Sequence, residues 1–228
     1  MFAVPFTPEQ RGLLAAAVLL AIAAAVQQWK SRPRLAILLL SGAAFLLRLL
    51  AAFLDPFLND WDEVFHAVVA KNMMTDPLTP MLYKETAMPL TTSWSQQHFW
   101  LHKPPFFLWQ IALSLKLFGL QVWAVRIPSV LWMTVLVPVI WRLGTLLRDE
   151  RTGFVAAFLA AFAFLPQELT SGALNTDHND AVFIAVVACS WWTWLEFVRS
   201  PHWKWALLTG LFAACAVLTK WYIGACVF

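Results

Sequence analysis

The chain has 228 residues, of which 61% are hydrophobic and 13% charged, with a formal net charge of +3 and a mean hydropathy of +0.66. That composition excludes an ordinary soluble domain and fits a chain that crosses a membrane several times. The basic residues stand in short clusters between apolar runs, the pattern of cytosolic loops rather than of a nucleic-acid surface, so no nucleic-acid partner is expected.

Residues 12–29 follow Arg11 as an uncharged run long enough for a helical span. They lack the basic start and small-residue cleavage site of a signal peptide and read as a retained span. Lys30, Arg32 and Arg34 then place the first connector in the cytosol. A second span covers 35–54, interrupted by Arg48, which is expected to snorkel outward or to face a site. The polar stretch that begins at Asp55 therefore opens on the non-cytosolic side. Residues 104–119 are apolar, but they begin with Pro104-Pro105, contain Lys116 and stop at Gly119. If they crossed the membrane, Arg142, Arg148, Arg151, Arg199 and Lys204 would all fall outside. The charge rule predicts instead an interfacial helix. Further spans follow at 127–147, 152–168, 181–198 and 205–224, with a tight cytosolic turn at Arg151 and Gly153. Cys189, Cys215 and Cys226 lie in or beside apolar runs and read as packing residues. The expected fold is an all-α polytopic membrane helical bundle of about six spans. Its first large outer loop, residues 55–126, is expected to carry juxtamembrane interfacial helices.

Three polar groups could carry chemistry. Asp62 and Glu63 stand at the start of a predicted helix, with Asn59 or Asp60 as N-cap and His66 on the face of Asp62. They either cap that helix or supply a carboxylate that takes a proton or holds a metal. Asn175 to Asp180 hold a second acidic group, in which Asp177 precedes the expected cap at Asn179 or Asp180. His102-Lys103-Pro104-Pro105 is the third. Its ammonium, stiffened by two prolines, could neutralise a lipid phosphate or rest among headgroups. Lys220, near the outer end of the last span, has the same two readings.

Taken in order, these residues resemble the GT-C glycosyltransferases. Asp62-Glu63, followed by Ala67, Ala70 and Met73-Met74, resembles the first-loop Asp-Glu motif of the protein mannosyltransferase and aminoarabinose transferase branch. Leu101 to Trp109 is similar to that branch's EKPPLYYW segment. Leu117-Phe118-Gly119 and Ala124 to Ser129 are similar to its KLFG and ARLPS. Thr176-Asp177 falls at its second acidic position, and Ala216 to Lys220 resembles AVLTKG. The ordered set covers roughly residues 55–224.

The resemblance implies an integral-membrane glycosyltransferase of the cytoplasmic (inner) membrane, with its site on the extracytoplasmic side. It implies inverting transfer of a sugar from a polyprenyl-phosphate donor to a lipid or protein acceptor. Residues 1–228 would be the N-terminal part of a larger GT-C domain. Asp62, Glu63 and Asp177 become the candidate catalytic residues, with Asp62 as general base and Glu63 in support. Lys103, Lys220 and Arg126 become candidates for holding the lipid phosphate. A divalent metal on Asp62 and His102 is a weaker expectation, because His102 stands where the relatives have glutamate. Trp221 also departs from the pattern, replacing a glycine after Lys220. The rival readings are a non-catalytic or truncated membrane subunit of the same type, and a transporter. Against the transporter, the acidic residues lie in outer loops rather than at mid-span.

Overall fold

The computed structural model describes residues 6–83, 98–173 and 178–227. Among them are nine α-helices: α1 (Pro8–Trp29), α2 (Pro33–Ala52), α3 (Asp62–Met73), α4 (Phe106–Phe118), α5 (Val122–Leu147), α6 (Glu150–Phe162), α7 (Phe164–Ser171), α8 (His178–Arg199) and α9 (Trp203–Lys220). A 3₁₀ turn, Trp221–Val227, follows α9. Five helices are long and apolar enough to cross a membrane, and the bent pair α6–α7 makes a sixth if it counts as one span. The expected helical bundle is therefore observed.

Local chemistry sets the helix ends. Thr7 and Gln10 close a capping box on α1, with Pro8 in its first turn. Asp149 caps α6 through the Thr152 amide. Gly119 and Gly172, both at positive φ, end α4 and α7. The break between α6 and α7 follows from Pro166, whose ring is incompatible with a helical carbonyl at Phe162, the last residue of α6.

Alanines let the spans approach closely. Ala24 of α1, Ala36 and Ala44 of α2, and Ala157 and Ala161 of α6 are all buried around Leu40 and Val137. At the α5–α6 turn, a Cβ on Gly144 would stand 2.7 Å from Gly153 Cα, so the tight turn expected near Gly153 needs glycine on both strands of the hairpin.

The predicted interfacial segment is α4. Its 13 residues rise only about 20 Å, short of the ~30 Å hydrocarbon thickness. It packs on α3 and α5, burying Phe107, Leu108 and Ile111 against Val69, Met73 and Val125. An isolated antiparallel bridge, Met81 to Phe99, returns the chain beside α3 just before Lys103. Pro128 lies inside α5 and donates no hydrogen bond, which frees the carbonyl of Ala124 four residues earlier. The Ser114 hydroxyl of α4 donates to that carbonyl. In an apolar environment a freed carbonyl needs such a donor, so the proline of α5 and the serine of α4 form one staple.

Ser114→Ala should lower stability by about 1–3 kcal/mol, the cost of an unsatisfied buried acceptor. An unfolding midpoint in detergent equal to that of the wild type would remove the staple from this account.

Candidate active site

At one end of the bundle the helices close around a single carboxylate. Glu63, in the first turn of α3, has no solvent exposure. Its Oε1 accepts from Arg126 Nε at 2.7 Å and its Oε2 from Arg126 Nη2 at 3.1 Å. The Asn59 amide donates to Oε2 at 2.8 Å. His178, at the start of α8, places Nε2 2.9 Å from Oε1 and Nδ1 2.9 Å from the Leu169 carbonyl of α7. Both ring nitrogens thus lie against oxygens, one from α3 and one from α7.

Arg126 comes from the first turns of α5. Besides Glu63 it donates to the carbonyls of Ala52 at 3.0 Å, Asp55 at 2.6 Å and Phe57 at 2.7 Å. These bonds occupy all five guanidinium N–H groups. No donor is left over for the lipid phosphate expected of Arg126; the residue fastens the end of α2, the first loop and α3 to α5. Gly172 completes the enclosure. A Cβ there would fall 2.7 Å from Arg126 Cζ, and its φ of 65° also favours glycine.

The neighbouring carboxylate points elsewhere. Asp62 Oδ2 lies 3.1 Å from Lys103 Nζ, and the two side chains retain 16% and 12% exposure. This pair joins the Asp-Glu motif to the Lys-Pro-Pro motif at the mouth of the cage. Lys220 pairs with Asp180 and sits 5.6 Å from the Phe183 ring. Asp180 thus lies in the first turn of α8, in an ion pair across to α9, rather than at the helix cap. Asn59 does not cap α3 either; its Oδ1 accepts from the Trp61 amide in the preceding turn. Trp221 adopts φ 45°, a backbone region that favours the glycine of the resembling pattern, and its indole donates to the His102 carbonyl.

His66 is buried against Phe107, with ring centroids 4.6 Å apart. Burial, followed by the charge of Lys103, pushes it well below the usual imidazole range. It is a neutral packing group. Arg48 neither snorkels nor reaches the cage: it is fully buried and donates to the Ala160 carbonyl at the end of α6.

A resident divalent metal does not fit the described residues. Asp62 is paired with an ammonium, and no group of three His, Cys, Asp or Glu lies together among those residues. Asp177 lies outside the described residues.

Residues 102–228, more than half of the chain, match the dolichyl-phosphate-mannose-protein mannosyltransferase family. The chain belongs to that family. No curated protein and no solved structure matches it. Membership makes it a membrane glycosyltransferase of the GT-C type. Asp62 and Glu63 precede the matched stretch, yet their partners Lys103, Arg126 and His178 all lie inside it. The mannosyltransferase-family stretch and the first loop are therefore one site.

Burial alone would raise the Glu63 pKa; the hydrogen bonds from His178 and Arg126 reverse this and bring it to about 2, from an ordinary 4.5. Because the folded value is the lower one, this stabilisation is complete above about pH 4.5 and is lost as pH falls toward 2. Glu63→Gln should cost about 3–5 kcal/mol at neutral pH by leaving Arg126 buried without its anion. It should also flatten the acid limb of the unfolding-midpoint profile between those pH values. Parallel acid limbs in the two proteins would contradict the assignment.

Proposed function

We propose that this chain transfers a sugar from a polyprenyl-phosphate donor to a hydroxyl or amino acceptor in one inverting displacement, on the extracytoplasmic side of the cytoplasmic membrane. The observation that carries the reading is the Asp62–Lys103 pair at 3.1 Å. It sets a carboxylate and an ammonium together, partly exposed, on a frame fastened by Glu63, Arg126 and His178. The side is argued from charge. Lys30, Arg32, Arg34, Arg148 and Arg151 stand in or next to the α1–α2 and α5–α6 turns, at the end of the bundle opposite Asp62, as cytosolic residues do.

In the free state Lys103 neutralises Asp62. A donor phosphate offers the lysine a second anion, and its transfer to the phosphate leaves Asp62 free to accept a proton. The acceptor oxygen or nitrogen then attacks the anomeric carbon while its proton passes to Asp62. The bond from that carbon to the phosphate oxygen breaks, and the electron pair leaves with the polyprenyl phosphate. Lys103 lies where this charge develops. Lys220 would join it on exchanging Asp180 for the phosphate. Glu63, Arg126 and His178 position Asp62 and touch no reacting atom. Asp177 keeps its place in the proposal, on sequence grounds, as the acceptor-side carboxylate. Segment 101–109 keeps the acceptor within the range of the protein mannosyltransferase and aminoarabinose transferase branch: a protein, or a lipid A-like glycolipid.

Membranes carrying the chain should consume labelled polyprenyl-phosphate sugar. Asp62→Asn should slow this by about two to four powers of ten, and Lys103→Ala by about 10²–10³. Both variants should stay inserted and monodisperse. Undiminished consumption in either variant would remove that residue from the scheme.

A further inference from the structure

The opposite end of the bundle presents a second place where charge and hydrocarbon meet. Between the α1–α2 turn and the start of α6 lies a cavity of about 580 Å³. Its polar lining is Gln28, Ser31 and Arg151; its apolar lining includes Ala25, Phe154 and Val155. At Ala25 it meets a second cavity of about 320 Å³ that runs between α1 and α6, lined only by apolar residues from Val18 and Ile22 to Phe158 and Phe162. From Gln28 to Val18 the groove follows α1 for about 15 Å, half of a ~30 Å hydrocarbon core and so the depth of one leaflet.

The polar cavity is not satisfied by the protein. The Arg151 side chain has no ion pair or hydrogen bond to any described residue, whereas Arg148 beside it meets Asp149 at 3.9 Å. Gln28 Oε1 is buried without a donor. Lys30 and Arg32 flank the lining residue Ser31 in the chain, with Arg34 close behind, and Asp149 and Glu150 precede Arg151. The turn itself is closed, with the Ser31 and Arg32 amides donating to the Gln28 and Gln27 carbonyls. Trp29 stands 91% exposed at the rim, as indoles do at a membrane boundary.

We propose that this cavity and groove bind one anionic phospholipid of the leaflet at that end, a phosphodiester with a hydroxyl-bearing headgroup. Arg151 takes the phosphate, Gln28 Oε1 accepts from a headgroup hydroxyl, and an acyl chain lies along α1 and α6. Basic pockets between spans hold anionic headgroups in this way. A free anion would satisfy Arg151 and leave the apolar groove bare, which is why the occupant is a lipid. The assignment is independent of the proposed transfer reaction.

The test is native mass spectrometry of the full chain released from mixed vesicles of phosphatidylglycerol and phosphatidylcholine. The wild type should retain one phosphatidylglycerol. Arg151→Gln should weaken that preference about five-fold, the equivalent of the ~1 kcal/mol per basic side chain near an anionic surface. Ala25→Trp, which blocks the junction of the two cavities, should weaken retention while every charge stays in place. Arg199→Gln, at the same end but outside the cavity, should leave it unchanged. An equal loss in Arg199→Gln, or no loss in Arg151→Gln or Ala25→Trp, would overturn the site. Displacement of the lipid by millimolar glycerol phosphate would show a site for the free anion and overturn the lipid assignment.

Discussion

A guanidinium and a carboxylate with no solvent exposure, Arg126 and Glu63, hold one end of this bundle together. Withdrawing two charges from water is expensive, and their mutual attraction offsets that cost only when the remaining donors and acceptors are satisfied as well. Here they are, by three carbonyls from the end of α2 and the first loop, one amide from that loop and one imidazole from α8. The ion pair therefore acts as a clasp that fastens the end of α2, the first loop and α3 to α5. Its functional consequence lies one residue away. Successive helical residues diverge by about 100° around the axis, so anchoring Glu63 inward turns Asp62 toward the mouth, where Lys103 meets it.

The second requirement is that the backbone compensate for its own interruptions. Pro128 and Pro166 each remove a helical hydrogen bond in an apolar setting, where an orphaned carbonyl is costly. At Pro128 the answer is Ser114, which draws α4 onto α5. At Pro166 the answer is a break, which bends the sixth span by 40° and brings α7 across so that Leu169 meets His178 and Gly172 meets Arg126. Both interruptions thus act on the site. One docks the helix that follows Lys103, and the other supplies a wall of the cage.

Much of this was legible in the sequence because it depends on local period and charge. The spans follow from apolar length, and the basic turns pick out the short α4 as the segment that does not cross. The Asp62–Lys103 partnership could be anticipated only through the resemblance, since the residues are remote in the chain. The cage was not legible. Arg126 reads as one more cation near a lipid-phosphate site until its five acceptors, contributed by segments 63 or more residues away, are seen together. Gly172 looks like a helix stop, and nothing local shows that a guanidinium lies against it. His178 sits in an acidic stretch that suggests capping, whereas its partners come from α3 and α7. The misread cap at Asn59 has the same origin: its amide is drawn to Glu63, a long-range anchor, and the side chain turns back on Trp61.

Three arginines separate structural from ligand-binding roles on one criterion, the fate of their N–H groups. Arg126 has every donor engaged in a rigid frame, so taking up a phosphate would mean breaking bonds that hold three segments. Arg48, equally buried, donates from Nη2 to the Ala160 carbonyl beside the helix break, while its Nε and Nη1 meet no acceptor among the described residues. Arg151 is exposed, has no partner among the described residues and stands above an apolar groove, the arrangement on which the proposed lipid site rests. Lys103 stands between these cases. It has a carboxylate within reach, partial exposure, and a flexible stem that can move between two anions without disturbing the fold. A site that must bind a phosphate, stabilise it as it departs and then release it needs a cation held by such an exchangeable contact. On that ground the proposed transfer assigns the reactive charge to the lysine at the mouth and the permanent charge to the arginine behind it.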